Sequence, residues 1–329
     1  MILARAPLRI SIGGGGTDLP SYYSKHGGLI LSAAIDKYVY IALNRPPADD
    51  LIRVKYSAYE EVETPEDVRH DLVRPALQQL GIDRNIEIAS MADVPAGTGL
   101  GSSSTYLVAL LTALHELKRE RIGPQELAEL AFRIEEGLAG HPVGKQDHYI
   151  ASFGGIVLLQ IGRDGVVEAS RAPISLSVEQ ELMNQTLLFF TGISRNANGI
   201  LEQQKRDSIA AEVNVLESLH QTKEIGQRIL DALERGALSE FGALLHEHWQ
   251  NKKRRSADIT ADSVDRWYAA GREAGATGGK LVGAGGGGFL LLFCENGTKA
   301  EVRAALAAEG LRELSYRIDH QGAKVLVNF

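Results

Sequence analysis

The spacing of apolar and polar side chains divides the chain into short strands and amphipathic helices. Alternating or continuous apolar runs predict strands at 2–12, 29–34, 37–43, 51–56, 86–92, 155–161, 166–169, 185–190, 289–293, 313–318 and 324–328. Apolar residues three and four apart predict helices at 65–80, 103–118, 124–138, 209–233, 241–248, 262–273 and 299–308. The two kinds of element alternate irregularly, so an α+β fold is favoured over a doubly wound parallel sheet.

One glycine-rich stretch, Pro95 to Thr105, separates a predicted strand from a long predicted helix and reads PAGTGLGSSST. Glycine lets the backbone approach a bulky group, and the first turn of a helix presents free N–H groups and a partial positive charge. This combination binds phosphate, and a serine hydroxyl beside bound phosphates can also ligate magnesium. The stretch is not a Walker A motif, and taken alone it is equally compatible with a serine-capped loop that binds nothing.

Composition and charge narrow the class of protein. The chain has 329 residues, a formal net charge of −7 and one cysteine, Cys294. The negative charge excludes a general attraction to nucleic acid or to anionic membranes, and the single cysteine excludes a disulfide framework. No apolar run is long enough for a membrane span, so we expect a cytoplasmic protein whose anionic substrates are held by local cations and backbone amides.

Three glycine-rich motifs together resemble the GHMP kinases, the superfamily of galactokinase, homoserine kinase and mevalonate kinase. The central motif is Pro95 to Ser104, the first is RAPLRISIGGGGTD at Arg5–Asp18, and the third is LVGAGGGG at Leu281–Gly288. The resemblance implies an α+β fold with a ribosomal-S5-like N-terminal domain and a ferredoxin-like C-terminal domain with added helices. On this basis we predict domains at 1–177 and 178–329, with ATP and the acceptor between them.

The resemblance also implies roles for individual residues on the ATP side of the cleft. Magnesium would be held by Ser103 and Glu136, with Glu135 as a weaker candidate. Asp147 would orient or deprotonate the acceptor hydroxyl, and Arg9 would stabilise charge near the nucleophile. The residues expected to bind ATP are Pro95, Gly97, Gly99, Leu100, Gly101, Ser102, Ser103 and Ser104.

On the acceptor side, the resemblance to the sugar-kinase branch implies contacts with sugar hydroxyls. A carboxylate such as Asp18 can accept two hydroxyl hydrogen bonds, although an Asx-type turn after the glycines would explain Asp18 equally simply. The residues expected to bind the acceptor are Gly15, Gly16, Thr17, Asp18, Asp147, Arg195, Gly285 and Gly286.

Segments at Ala6–Pro20, Phe190–Arg195 and Gly278–Gly288 resemble bacterial kinases of D-glycero-D-manno-heptose 7-phosphate. This similarity implies phosphorylation of the anomeric C1 hydroxyl to the 1,7-bisphosphate, on the route to nucleotide-activated heptose for capsule or lipopolysaccharide. Arg195 is the first candidate for the 7-phosphate, and Lys280 and the cluster Lys252–Arg255 are weaker ones.

Other functions stay open at this point. The acceptor could be fucose, galactose, mannose or an unphosphorylated heptose, and a sugar- and ATP-binding regulator without turnover is a further alternative. A dinucleotide-binding oxidoreductase is disfavoured because the chain lacks GxGxxG with a following acidic residue at the required distance. The sequence leaves the oligomeric state open, a homo-oligomer included.

Overall fold

The computed structural model describes residues 1–193, 213–255, 259, 261–295 and 297–329. The strands are β1 (Ile2–Gly13), β2 (Gly28–Asn44), β3 (Ile52–Lys55), β4 (Tyr59–Val62), β5 (Ile86–Ala92), β6 (Ile156–Ile161), β7 (Val167–Arg171), β8 (Thr186–Phe190), β9 (Ala276–Leu281), β10 (Phe289–Cys294), β11 (Arg312–Glu313) and β12 (Lys324–Asn328). The helices are α1 (Pro20–His26), α2 (Val73–Leu80), α3 (Ser102–Lys118), α4 (Pro124–Phe132), α5 (Gln146–Phe153), α6 (Leu176–Gln185), α7 (Val213–Glu234), α8 (Leu238–Lys253), α9 (Asp262–Glu273) and α10 (Lys299–Ala308).

The first sheet is built around the long strand β2. Its second half pairs with β5, its first half pairs with β6, and β1 follows it along most of its length. The remaining order is β12 beside β1, then β3 and β4 beyond β5, with β7 beside β6. The two strands predicted at 29–34 and 37–43 are therefore one strand: Asp36 and Lys37 form a bulge opposite Pro7 and Leu8, where the register shifts, and not a turn.

The second sheet is antiparallel with the order β11, β8, β10, β9. Helix α6 was not predicted; its N-cap is Ser175, whose hydroxyl accepts a hydrogen bond from the Val178 N–H at 3.3 Å. The strand predicted at 313–318 is reduced to β11 and one bridge between Ile35 and Ile318. The mixture of two sheets and packed helices confirms the α+β class.

The two largest apolar cores among the described residues support the sheets. One lies between the first sheet and helices α2, α3 and α4, and the other joins β1 and β2 to α7, α8 and the second sheet. The turn after β1 meets α7 backbone to backbone, because a Cβ on Gly13 would lie 3.0 Å from the Gly226 Cα. The division of the chain at residues 177 and 178 stays a prediction; α6 spans that point and β12 returns to the first sheet.

Candidate active site

A cleft of about 580 Å³ lies where β1, the loop before α3, the start of α5, helix α8 and the end of β9 meet. Its size suits a nucleotide together with a small acceptor. The lining side chains belong to both sheets and their helices, so the cleft exists only when the two cores are packed together. They include Arg9, Asp18, Ser102, Ser103, Tyr106, Asp147, His248, Lys252, Arg255 and Lys280.

The central glycine loop forms one wall. Gly97, Gly99 and Gly101 have φ angles of +74°, +79° and +80°, a left-handed conformation that favours glycine. Ser102 and Ser103 then begin the 17-residue helix α3, whose first-turn N–H groups face this region. Of the residues predicted to bind ATP, Gly97, Gly99, Gly101, Ser102 and Ser103 line the cleft.

The other three predicted ATP-binding residues stand behind this wall. Pro95 is exposed and its carbonyl accepts a hydrogen bond from Thr98, whereas Leu100 is fully buried. Ser104 is buried, and its hydroxyl donates to Glu135 Oε2 at 2.7 Å. Their contribution to ATP binding stays a prediction, and in this geometry they support the loop.

The third glycine-rich turn, 283–288, packs directly against the central loop. A Cβ on Gly283 would lie 2.5 Å from the Gly99 carbonyl oxygen, and one on Gly288 would lie 2.1 Å from the Thr98 carbonyl oxygen. Side chains at these positions would force the two loops apart. Gly283 and Ala284 line the cleft, whereas the predicted acceptor ligands Gly285 and Gly286 pack against Ile259, to which the Gly286 N–H donates at 2.8 Å.

Arg9 and Asp147 meet at the centre of the cleft, although 138 residues separate them in the sequence. Arg9 Nε donates to Asp147 Oδ1 at 2.6 Å and Arg9 Nη2 donates to Asp147 Oδ2 at 2.8 Å, while Arg9 Nη1 donates to the Gly99 carbonyl at 2.6 Å. The Asp147 carboxylate also lies against the central glycine loop, since a Cβ on Gly101 would be 2.9 Å from Asp147 Oδ2. The paired carboxylate is thus fixed beside the N-terminus of α3.

Asp18 is a second, deeper carboxylate in the cleft. Its Oδ2 accepts from the Gln146 N–H at 3.0 Å and its Oδ1 from the Gly16 N–H at 3.2 Å. Because Gly16 precedes Asp18, this second bond is not the Asx-type turn, in which the donor lies two residues after the carboxylate. Burial raises the pKa of Asp18, the Gln146 N–H opposes this effect, and the nearby Asp147 carboxylate adds to it. Gly15 and Gly16 also line the cleft, but the hydroxyl of Thr17 is occupied by the carbonyls of Gly14 and Leu29.

The two predicted glutamates have different surroundings. Glu135 is fully buried and accepts hydrogen bonds from Ser104, from His148 at 2.7 Å and from His141 at 3.5 Å. Burial opposes ionisation of Glu135, but the hydrogen bonds from His141 and His148 outweigh it and hold its pKa well below the usual range. Glu136 is half-buried on the π-helical turn Arg133–Leu138 and does not line the cleft, so its role as a magnesium ligand stays a prediction.

Three basic side chains, Lys252, Arg255 and Lys280, form what we term the cationic end of the cleft. Lys252 donates to the carbonyls of Leu281 and Gly283, and Arg255 donates to the carbonyl of Gly15 at 3.3 Å. Lys280 donates to the Ile12 carbonyl at 3.0 Å. Arg195, the first sequence candidate for a sugar phosphate, lies outside the described residues.

A second region of the cleft, which we term the aromatic end, was not predicted from the sequence. The His70 ring stacks on Tyr106 with centroids 4.9 Å apart and meets the Tyr56 ring edge-on at 4.7 Å. All three rings line the cleft, beside the start of α3. No motif marks Tyr56 or His70; the position of Tyr106 just after the serines of the phosphate loop was the one available signal.

Several buried polar atoms of the cleft have no hydrogen-bond partner among the described residues. Buried polar groups are nearly always paired in native proteins, so these atoms are available to a polar ligand in the cleft. These atoms are Ser11 Oγ, Ser102 Oγ, Tyr106 Oη, Gln146 Oε1 and both ring nitrogens of His248.

Two kinds of feature are absent from the described ranges. No helix there combines the length and apolar composition of a membrane span. No group of three or more histidine, cysteine, aspartate or glutamate side chains there is placed to hold a metal ion.

Comparison with known proteins gives the family. Residues 70–155 match the GHMP kinases N terminal domain and residues 229–312 match the GHMP kinases C terminal domain. The chain is 30% identical over 98% of both lengths to a D-glycero-alpha-D-manno-heptose 7-phosphate kinase of Campylobacter jejuni. It is 24% identical to a galactokinase of Pyrococcus furiosus, over 96% of this chain and 95% of that one.

A solved structure gives the same result. A D-glycero-D-manno-heptose 1-phosphate kinase from Bacteroides thetaiotaomicron matches the whole of both chains with a TM-score of 0.82 and 26% identity. The predicted GHMP kinase fold is thereby confirmed. The chain belongs to the GHMP kinases and is an ATP-dependent phosphotransferase that acts on a small molecule.

Proposed function

We propose that this enzyme transfers the γ-phosphoryl group of ATP to the anomeric C1 hydroxyl of D-glycero-D-manno-heptose 7-phosphate and forms the 1,7-bisphosphate. The observation that carries the proposal is the position of Asp147, which Arg9 holds against Gly101 of the phosphate loop. The choice of a heptose phosphate is supported by the Campylobacter jejuni relative and by the cationic end of the cleft. The product would supply nucleotide-activated heptose for surface polysaccharide.

The surroundings of Asp147 suit it to orient a hydroxyl. A carboxylate accepts about four hydrogen bonds. Arg9 supplies two and Gln146 Nε2 supplies a third at 3.0 Å, which leaves one position for the acceptor hydroxyl. Pairing with Arg9 fixes the position of the Asp147 carboxylate, and an anomeric hydroxyl is more acidic than an ordinary alcohol. In a loose phosphoryl-transfer transition state the proton can leave late, to Asp147.

ATP would lie between the glycine loop and the aromatic end. The N–H groups of the loop and of the first turn of α3 would hold the phosphates. The rings of Tyr56, His70 and Tyr106 offer the flat, apolar surface that a purine base stacks on. Arg9 would be close enough to the transferred group to stabilise its charge, because it also contacts the Gly99 carbonyl.

Magnesium is compatible with the donor set at the start of α3. Mg²⁺ bound to ATP keeps most of its ligands as phosphates and water and takes one or two from the protein. The exposed Ser103 hydroxyl and the unpartnered Ser102 Oγ are available for this, with Glu136 as the predicted carboxylate. When bound, the ion would neutralise charge on the phosphates.

The test is ADP release with magnesium and ATP against heptose 7-phosphate, heptose 1-phosphate, unphosphorylated heptose, mannose, fucose and galactose, followed by phosphorus NMR of the product. We expect turnover with heptose 7-phosphate and a new anomeric phosphate signal. Because the Bacteroides thetaiotaomicron structure is of a heptose 1-phosphate kinase, that acceptor is the specific alternative. Preference for it, or for a neutral sugar, would replace the proposed acceptor, and silence with all of them would favour a regulator.

A further inference from the structure

The cationic end of the cleft concentrates positive charge in a protein whose net charge is −7. Lys252, Arg255 and Lys280 are 6%, 9% and 2% exposed, so none of them is a solvated surface charge. Lys252 and Arg255 come from α8 and the residues that follow it, while Lys280 comes from β9. Buried cations gathered from separate elements usually have an anion to bind.

Within the described residues, that anion is not a side chain. Lys252 and Lys280 donate to backbone carbonyls of Leu281, Gly283 and Ile12. Arg255 donates to the Gly15 carbonyl and to the hydroxyls of Ser218 and Thr222. Among the described contacts of the three side chains there is no carboxylate, so neutral dipoles alone hold these charges.

The pKa values of the three basic side chains are lowered, as expected for buried cations that have no anion beside them. Burial, followed by the charges of Arg255 and Arg9, lowers the pKa of Lys252 to about 7. Burial lowers the pKa of Arg255 to about 10, and burial together with the charges of Lys252 and Arg255 lowers the pKa of Lys280 well below its usual value. A bound dianion would offset both the lost hydration and the mutual repulsion.

His248, on the same side of α8 as Lys252, points to a ligand independently. His248 precedes Lys252 by four residues and Arg255 by seven, a spacing that places all three on one side of α8 and its extension. His248 is 2% exposed and lines the cleft, yet neither ring nitrogen has a partner among the described residues. A buried imidazole with two unused nitrogens needs a hydrogen-bonding ligand.

The cationic end contacts the same strand and glycine turn that position Arg9 and Asp147. Lys280 donates to the carbonyl of Ile12, near the end of β1. Arg255 donates to the carbonyl of Gly15, in the glycine turn that follows β1. Arg9 lies on that same strand and holds Asp147. A sugar with its hydroxyl on Asp147 can therefore extend along this turn, past Asp18, to the cationic end.

We propose that Lys252, Arg255 and Lys280, together with His248, bind the phosphate group that the acceptor sugar already carries. The inference rests on the proposed function, because the phosphate is the one carried by the acceptor sugar of that reaction. The described residues alone account for the charge, so Arg195 is not required for this site.

The kinetic experiment compares heptose 7-phosphate with unphosphorylated heptose on the full-length enzyme. Lys252→Met and Arg255→Gln each remove one charge at similar volume, and Lys252→Arg restores charge at the first position. Lys253→Met is the matched control, because Lys253 is the next residue of α8 but pairs with Asp265 outside the cleft.

We expect Lys252→Met and Arg255→Gln each to raise KM for heptose 7-phosphate about 10-fold to 100-fold, since each removes a charge-assisted hydrogen bond. KM for ATP should change little, Lys252→Arg should recover part of the loss, and Lys253→Met should behave as the unaltered enzyme. An equal rise in KM for ATP, or unchanged KM for the sugar phosphate, would overturn the assignment.

A binding measurement separates this inference from the kinase proposal. Calorimetric titration of the ATP-free enzyme with heptose 7-phosphate should show binding that Lys252→Met and Arg255→Gln weaken and Lys253→Met does not. That result would support the phosphate site even if no turnover of this sugar were found. Equal binding of phosphorylated and unphosphorylated heptose, or equal weakening by all three variants, would reject it.

Discussion

The two ends of the cleft differ in the chemistry that they offer to a ligand. At the aromatic end, Tyr56, His70 and Tyr106 present flat rings and few unbalanced charges. At the cationic end, Lys252, Arg255 and Lys280 present charge that the described protein contacts leave uncompensated. A stacked surface tolerates some variation in its ligand, whereas buried charge requires a partner of opposite sign, so we expect acceptor choice to be stricter than nucleotide choice.

The largest effect should come from the carboxylate between the two ends. Asp147→Asn keeps the size of the side chain but removes the charge that pairs with Arg9 and that, in the proposed reaction, accepts the hydroxyl proton. We expect kcat to fall by about 10²-fold to 10⁴-fold. ATP affinity, measured by calorimetry, should stay within about threefold because the loop and aromatic rings are untouched.

The control for that variant is Asp164→Asn, in an exposed turn away from the cleft. It should leave kcat unchanged. Near-normal turnover in Asp147→Asn would show that the two ends position substrates without help from this carboxylate.

A smaller loss is expected from Gly101→Ala, which tests whether the phosphate loop and Asp147 must touch. The added Cβ would lie 2.9 Å from Asp147 Oδ2, at a φ of +80°. We expect kcat to fall about 10-fold to 100-fold and the free energy of unfolding to fall by about 1–3 kcal/mol.

Gly81→Ala separates the two causes. Gly81 has a similar φ of +63°, but a Cβ there would meet nothing within 4 Å. It should cost about 1 kcal/mol of stability, measured by urea unfolding, with kcat unchanged. Equal losses of kcat in both variants would assign the effect to backbone strain.

The aromatic end should respond in ATP binding alone. Tyr106→Leu removes the ring that stacks on His70, and we expect KM for ATP to rise about tenfold while KM for the acceptor stays constant. Tyr59→Leu, at a tyrosine 58% exposed on β4, is the matched control. A rise in KM for the acceptor in Tyr106→Leu would contradict the separation of the two ends.

The smallest effect concerns stability and pH. Hydrogen bonds to Asp71 and then to Glu135 raise the pKa of His141 from 6.5 to about 10. Because the folded pKa is raised, the stabilisation is fully present below pH 6.5 and is lost as pH rises through about 10. After allowance for solvent screening we expect about 1–2 kcal/mol.

The measurement is urea unfolding of the unaltered enzyme and of His141→Gln at pH 6 and pH 10. The difference in unfolding free energy between them should be larger at pH 6. A difference that is equal at both values, or larger at pH 10, would contradict the assignment.

Those parts of the fold that rest on local pattern were predicted from the sequence. The helix after the phosphate loop, predicted at 103–118, is α3 (Ser102–Lys118), and the strand at 289–293 is β10. The bulge at Asp36 and Lys37 and the pairing of β12 with β1 depend on the partner strand, so no local pattern could show them. Helix α6 was missed because little of it is buried: its buried residues are Leu182 and Gln185.

The candidate site was likewise predicted where local motifs mark it and missed where tertiary packing forms it. The glycine loop and the pair Arg9 and Asp147 were proposed from motifs, and the structure brings these residues together. The aromatic end was not predicted, since Tyr56, His70 and Tyr106 meet only through tertiary packing. As candidates for the sugar phosphate, Lys252–Arg255 were ranked below Arg195 because a run of charges beside a helix usually lies in solvent. The sequence of such a run does not show whether its side chains are buried.

The contact between the two glycine-rich loops bears on attempts to redesign the enzyme for other sugars. Lys252 is joined to the Gly283 carbonyl, and Gly283 abuts Gly99, so a side chain at 252 that is much larger than lysine would press on the seat of the nucleotide as well as on that of the acceptor. Arg255 has no such link: its contacts are two hydroxyls and the Gly15 carbonyl. Libraries aimed at new acceptors should therefore diversify position 255 first and hold both glycine loops constant.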